Sequence, residues 1–402
     1  MQQQSLLYKL KGVVQPYAWG GFDVIPQLLG IEKDGKPAAE YWLGAHPSQP
    51  SEIKAHGVLK KLDQLIEENR EAILGATVSA KFKTLPYLLK VLDVRQMLSI
   101  QVHPDKASAA AAFEKENKNG VALNAPNRNY KDANHKPELM VALSDFWLLH
   151  GFKPADKLMD VLEAVPHLNF LIKPFKEKSY NGLYERVMTM PSAEVSAVLQ
   201  PLIEKLLPLY KNNELPKSSE DFWAARAAET FCKNGDYDRG IFSIYFFNLV
   251  HLKKGQGIYQ PAGMPHAYLE GQNIEIMAAS DNVLRAGLTD KHIDIGELLK
   301  HVRFQETIPA VIEDKATKEM VYKTEAAEFE LSKIELAAGD AFEWTAATAE
   351  IILQTNGQTT VQAAAEKAEL KKGEALFITA GAPVKMVCHS TAQVFRATVP
   401  YS

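Results

Sequence analysis

A short stretch of this chain occurs twice, and it limits the possible folds more than any other feature. Leu252-Lys-Lys-Gly255 is followed, after six residues, by Ala262-Gly263-Met264-Pro265-His266, and Leu370-Lys-Lys-Gly373 is followed at the same spacing by Ala380-Gly381-Ala382-Pro383-Val384. Each copy reads as strand, turn, strand, sharp turn, strand, so two related small β-barrels are expected in one chain. His266 of the first copy is Val384 in the second. One barrel has kept a side chain able to bind a ligand, and the functional site is expected there.

A Gly-rich turn, a buried strand and then Pro-His fit a double-stranded jelly roll, the cupin-type barrel, whose interior can hold a metal. The fold class expected is mainly β with a helical insertion: two cupin-type barrels plus an α-helical domain. At 402 residues the chain has room for several cores. Up to about Ile100 short strand-like runs mix with Gly/Pro punctuation and one helix-like stretch, Leu62 to Leu74. From Pro154 the apolar residues recur at three and four, with Ser192 and Ser218/Ser219 as helix starts. After Gly240 the run Ile241-Phe-Ser-Ile-Tyr-Phe-Phe-Asn-Leu-Val-His-Leu252 reads as strand. The division expected is residues 1–153 with 240–312 as the metal-bearing barrel, 154–239 as the helical insertion and 313–402 as a barrel without metal.

A formal charge of −4 excludes a counterion-release grip on nucleic acid, so any anion bound is expected to be small and met locally. Cys232 and Cys388 lie too far apart in the sequence for a paired motif. No apolar run approaches the ~18 residues a membrane helix needs, and the first residues lack a basic segment leading into an apolar one. A cytoplasmic protein, off the membrane, is expected.

Three segments can carry chemistry. In Ser99-Ile-Gln-Val-His103, a period of two puts Ser99, Gln101 and His103 on one face and Ile100 and Val102 on the other. In Asn134-His-Lys-Pro-Glu138, Lys136 and Glu138 share a face, and Glu138 enters an apolar strand where an unpaired charge would be costly. In the third, His266 and Tyr268 alternate on one strand and Asn273 and Glu275 on the next. Gln101, His103, Glu138 and His266 can then converge inside one barrel. Two imidazoles, a carboxylate and an amide oxygen suit Zn²⁺ or a neighbouring divalent ion. Lys106, Lys131, Lys136, Arg285 and Lys291 supply cations; Lys131 reads as a surface lysine, whereas Arg285 sits in an apolar context that calls for an anionic partner. Cations around a metal suggest a phosphorylated or carboxylated small molecule.

Six stretches, in order, resemble the type I phosphomannose isomerase family: Tyr17-Ala-Trp-Gly20; Glu40-Tyr-Trp-Leu-Gly-Ala-His46-Pro-Ser48; Leu98-Ser-Ile-Gln-Val-His-Pro-Asp-Lys106; Asn129-Tyr-Lys-Asp-Ala-Asn-His-Lys-Pro-Glu138; Gln260-Pro-Ala-Gly-Met-Pro-His266-Ala-Tyr268; and Glu275-Ile-Met-Ala-Ala-Ser-Asp281-Asn-Val-Leu-Arg285-Ala-Gly-Leu-Thr289. Asp290 and the approach Asp93-Val-Arg-Gln-Met97 depart from the family pattern without touching a ligand position. The resemblance implies a double cupin with a helical domain and one zinc per chain, held by Gln101, His103, Glu138 and His266. It implies interconversion of mannose 6-phosphate and fructose 6-phosphate by proton transfer between C1 and C2 through a cis-enediol. Arg285, Lys136, Glu275 and Asp281 are then the expected catalytic residues, and Ser99, Lys106, Tyr268 and Lys291 the expected substrate contacts, in a chain expected to be a monomer. The rival readings are a non-catalytic metal- or sugar-binding cupin and an iron dioxygenase, but Gln101 would fill a position an oxygenase leaves open.

Overall fold

A computed structural model describes residues 4–55 and 57–400; the outermost residues of the expected first and last domains, 1–3 and 401–402, lie outside it. The described residues build two ten-stranded antiparallel sheets and a helical region, a mainly β molecule of two cupin-type barrels with helices inserted in the first. One sheet holds the strands that carry the candidate ligands, ordered around the long strand His266–Ala278, which pairs with Tyr87–Val94 and Glu138–Ala142 along one half and with Phe146–Phe152 along the other. The second sheet centres on Glu350–Ala363 and Pro383–Thr398. It also takes Leu7–Lys11, Glu52–Ala55 and Val58–Lys61, because Leu7–Lys11 pairs with Ala375–Ile378. Hydrogen bonding therefore ties these early strands, expected in the metal-bearing barrel, to the C-terminal one.

The helices Ala155–Ala164, Ile172–Thr189, Ser192–Lys211 and Glu220–Phe231 fill the insertion. Their core takes in Ile100 and Val102, both fully buried. Burying one such side chain contributes ~1.5–3 kcal/mol, and this fixes the register of the Gln101–Val102 strand: a one-residue slip would drive His103 into the helical core. Two expectations need correction. Gly240–Phe246 is a helix, followed by the strand Phe247–Leu252; all seven helical residues are buried, and a helix apolar on every side has the same unbroken run as a buried strand. Leu62 to Leu74 is two short helices, Leu62–Glu68 and Arg70–Leu74, broken at Asn69.

The repeat is a repeat of conformation. Gly255 and Gly373 have φ of +88° and +85°, and Gly263 and Gly381 have +80° and +79°, the left-handed region that favours glycine. The Gly255 N–H donates to the Ala142 carbonyl and the Gly373 N–H to that of Gln354, both at 2.8 Å; the Gly263 N–H donates to His103 and the Gly381 N–H to Ala346. Gln260 stands opposite Glu138 as Ile378 stands opposite Glu350, and His266 opposite Gln101 as Val384 opposite Trp344. The positions of Gln101, His103, Glu138 and His266 are thus taken by Trp344, Ala346, Glu350 and Val384.

Of that quartet only the carboxylate survives in the second barrel. Glu350 is buried and accepts a hydrogen bond from Trp344 Nε1 at 2.8 Å. Burial raises its pKa from 4.5 to about 7, against the pull of Arg396 and of that hydrogen bond. A group raised on folding contributes stability that is present below its unfolded value and lost as pH rises through the folded one. The window is therefore pH 4.5 to 7, and at ~1.4 kcal/mol per pH unit the loss is at most about 3.5 kcal/mol. Glu350→Gln keeps an acceptor for Trp344. Thermal melts should show it matching the parent at pH 5 and exceeding it at pH 8; an equal deficit at both would contradict this account.

Candidate metal centre

Inside the first barrel, segments more than a hundred residues apart in the chain meet at one carboxylate. His103 Nε2 lies 3.4 Å from Glu138 Oε1 and His266 Nε2 lies 3.2 Å from Glu138 Oε2, with all three side chains buried. The ligand atoms fall within 4.8 Å of one another. His103 Nδ1 donates to the Asn282 carbonyl at 2.8 Å and His266 Nδ1 to the Met264 carbonyl at 2.9 Å. Each ring is thereby fixed in the tautomer that presents its Nε2 lone pair to the centre. His103 Nε2 is buried without a hydrogen-bond partner, which suits an atom kept for an ion. Gln101 stands opposite His266 in the ladder, and so on the same face. Two imidazoles, one carboxylate and an adjoining amide fit a borderline divalent ion such as Zn²⁺.

The electrostatics agree with the donor set. Burial alone would raise the Glu138 carboxyl, but Lys136 Nζ, 3.0 Å from its Oε1, and the two imidazoles hold it well below the usual carboxylate range. Burial lowers His103 to about 4 despite Glu138, leaving it neutral, the form that binds metal. Lys136 is buried beside Glu138, whereas His135 points the other way, its Nε2 2.8 Å from Glu328 Oε1.

Arg285, on the two-residue strand Leu284–Arg285, stands opposite Gln101. Among the described residues no carboxylate lies within ion-pair distance of its guanidinium. Partial burial lowers its pKa, and its charge bears on both Lys291 and Lys131; the three make a cationic flank. Ser99 is half-buried just upstream of Gln101. The Tyr268 hydroxyl is buried without a partner, and burial, with Glu275 next, keeps it a phenol. Asp281 lies at the rim, 3.3 Å from His46 Nε2, and His46 lowers its pKa against the opposing effect of burial. Lys106 is turned away: its ammonium lies 3.3 Å from Glu328 Oε1 and is largely exposed.

Glu275 is buried in a network that the sequence reading missed. Its Oε1 lies 3.2 Å from Lys90 Nζ, which also lies 3.4 Å from Glu40 Oε2 and sits over the Trp42 ring. Burial raises Glu275, as does Glu138; Lys90 stays cationic because its two carboxylates overcome the burial penalty. A signal was available, since Lys90 interrupts the apolar strand Tyr87–Val94 as Glu138 interrupts its own. His150, also missed, stands opposite His266 with Nδ1 2.7 Å from Gln260 Oε1; burial lowers it to about 4.

Comparison with known proteins points one way. The family model described as phosphomannose isomerase type I, catalytic domain, matches residues 7–155. The mannose-6-phosphate isomerase of Escherichia coli (strain K12) is 34% identical over 394 residues, covering 95% of this chain and 97% of that protein; the Bos taurus enzyme is 32% identical over 430 residues, covering 97% and 98%. A crystal structure of mannose 6-phosphate isomerase from Salmonella typhimurium, bound to fructose 6-phosphate and zinc, superposes with a TM-score of 0.86 at 32% identity, covering 99% of this chain and all of that one. With residues 7–155 matching the family model and relatives at 32–34% identity covering 95% or more of its length, the chain belongs to the type I phosphomannose isomerase family.

Proposed function

We propose that this chain is a zinc-dependent aldose–ketose isomerase that interconverts mannose 6-phosphate and fructose 6-phosphate. The observation that carries the reading is the buried cluster of His103, Glu138 and His266 with Arg285, which has no carboxylate partner among the described residues, beside it: a cation site and an anion site side by side, as a phosphosugar requires. Relatives of nearly full length are isomerases, and a solved one holds zinc and fructose 6-phosphate. These favour catalysis over a non-catalytic cupin.

Zinc, when bound, supplies Lewis-acid stabilisation of the charge that builds on the sugar oxygens. His103, Glu138 and His266, with Gln101, would hold it. Lys136, beside Glu138, acts in its free-amine form, taking the proton from one of C1 and C2 and, as the ammonium so formed, returning it to the other. Arg285 and Lys291 hold the phosphate and offset negative charge in the enediol. Glu275, fixed by Lys90, and Asp281, fixed by His46, orient sugar hydroxyls, with Ser99 and Tyr268 as further contacts. Lys106, paired with Glu328, reaches the substrate only by leaving that partner.

A monomer is the oligomeric state proposed with this reading, to be checked by the mass of the protein in solution. Cys232 and Cys388 are free thiols, in keeping with a reducing cytoplasm; among the described residues no helix is long and apolar enough to cross a membrane. A coupled assay tests the reading: mannose 6-phosphate should yield fructose 6-phosphate, and a chelator should abolish the turnover. No product with zinc-loaded protein would refute it.

A further inference from the structure

We propose that Glu328, from the C-terminal part of the chain, is a positioning residue that holds Lys136 in the active site through His135. Its Oε1 takes His135 Nε2 at 2.8 Å and Lys106 Nζ at 3.3 Å, across 193 and 222 residues of sequence. One carboxylate thus clamps two of the three segments that bear ligands, since Lys106 lies three residues past His103 and His135 lies three before Glu138 and immediately precedes Lys136. The clamp has a rigid base. Glu328 is 3% exposed, and its neighbours Ala326 and Phe329 are buried in the apolar core shared by the two sheets.

The segment it holds needs such a hold. Residues 131–137 form neither helix nor strand; the ladder begins at Glu138, and Pro137 has no N–H to give. Upstream, the Asn134 carbonyl is held by Asn282 Nδ2 at 2.8 Å. Between that point and the ladder, His135 is anchored by Glu328. The imidazole and carboxylate partners are unequally buried, at 22% and 3% side-chain exposure, so removing His135 leaves a buried carboxylate with only the exposed Lys106 ammonium, while removing Glu328 frees the loop. Glu328 Oε2 is already buried without a partner. The C-terminal part of the chain, which has only Glu350 left at the four ligand positions, thereby acts on catalysis indirectly, by fixing His135 and with it the segment that carries Lys136.

The expected effect on turnover rests on the isomerase reading, so the test adds a readout that does not. In the zinc-loaded full chain, Glu328→Ala should lower kcat by about 10–100-fold, the usual worth of an outer-sphere partner, with KM and zinc content little changed. Glu328→Gln, which keeps an acceptor for His135, should recover most of the loss. His135→Ala should cost about as much as Glu328→Ala, and the double variant no more than either. Independently of activity, labelling of Lys136 by an amine-reactive reagent, followed by peptide mass spectrometry, should speed up several-fold in Glu328→Ala and stay slow in Glu328→Gln. If the parent makes no fructose 6-phosphate, the isomerase reading fails and the labelling alone decides. Unchanged labelling, or a kcat within twofold of an active parent, would overturn the role given to Glu328.

Discussion

Replacing His266 by Ala should remove zinc and isomerase activity together. The expected loss exceeds the ~10–100-fold that follows removal of an outer hydrogen-bond partner, because the change deletes a ligand. His266 is a cleaner test than Glu138: the Lys136–Glu138 pair at 3.0 Å survives it, so no buried charge is newly stranded. Glu138→Ala should have the same effect on zinc but also leave Lys136, itself buried, without a counter-charge, a destabilising loss of ~3–5 kcal/mol for a buried pair. Melting temperature therefore separates the two variants, with Glu138→Ala the lower. A His266→Ala protein with full zinc by elemental analysis would refute this ligand set.

Replacing Lys136 by Met should lower kcat by about 10²–10⁴-fold while zinc stays bound, the usual worth of a positioned acid–base group. Met retains much of the apolar stem and removes only the amine. Lys136 and His135 are neighbours in sequence and opposites in space: one ammonium lies against Glu138 inside the barrel, and the other residue's ring lies against Glu328 outside it. His135→Gln keeps an N–H for Glu328 and should lose far less activity than Lys136→Met. Near-normal kcat in Lys136→Met, with activity lost in His135→Gln, would reverse the assignment.

The parts of this molecule that were legible in sequence are those set by local periodicity. The doubled Lys-Lys-Gly turn announced two barrels because a glycine with positive φ is needed at each sharp turn. Alternation from Ser99 to His103 put Ile100 and Val102 together on the face away from Gln101 and His103, because a two-residue period leaves no other choice, and that face is the one buried against the helices. What stayed hidden is made by distant pairing. Lys90 meets Glu275 across 185 residues and Glu328 meets His135 across 193, and no local pattern records either. The Gly240–Phe246 helix was misread for a related reason: burial on all sides erases the polar face that would have marked its period. The pairing of Leu7–Lys11 with Ala375–Ile378 is likewise a long-range choice among apolar strands of similar text.

One metal is expected in the first barrel and none in the second, where Trp344, Ala346 and Val384 occupy three of the four ligand positions. Titrating zinc into chelator-stripped protein, with bound metal and isomerase rate followed in the same samples, tests this most directly. The rate should rise in proportion to bound zinc and break sharply at one equivalent per chain. Activity that survives complete stripping, or a rate that keeps climbing to a second equivalent, would contradict it.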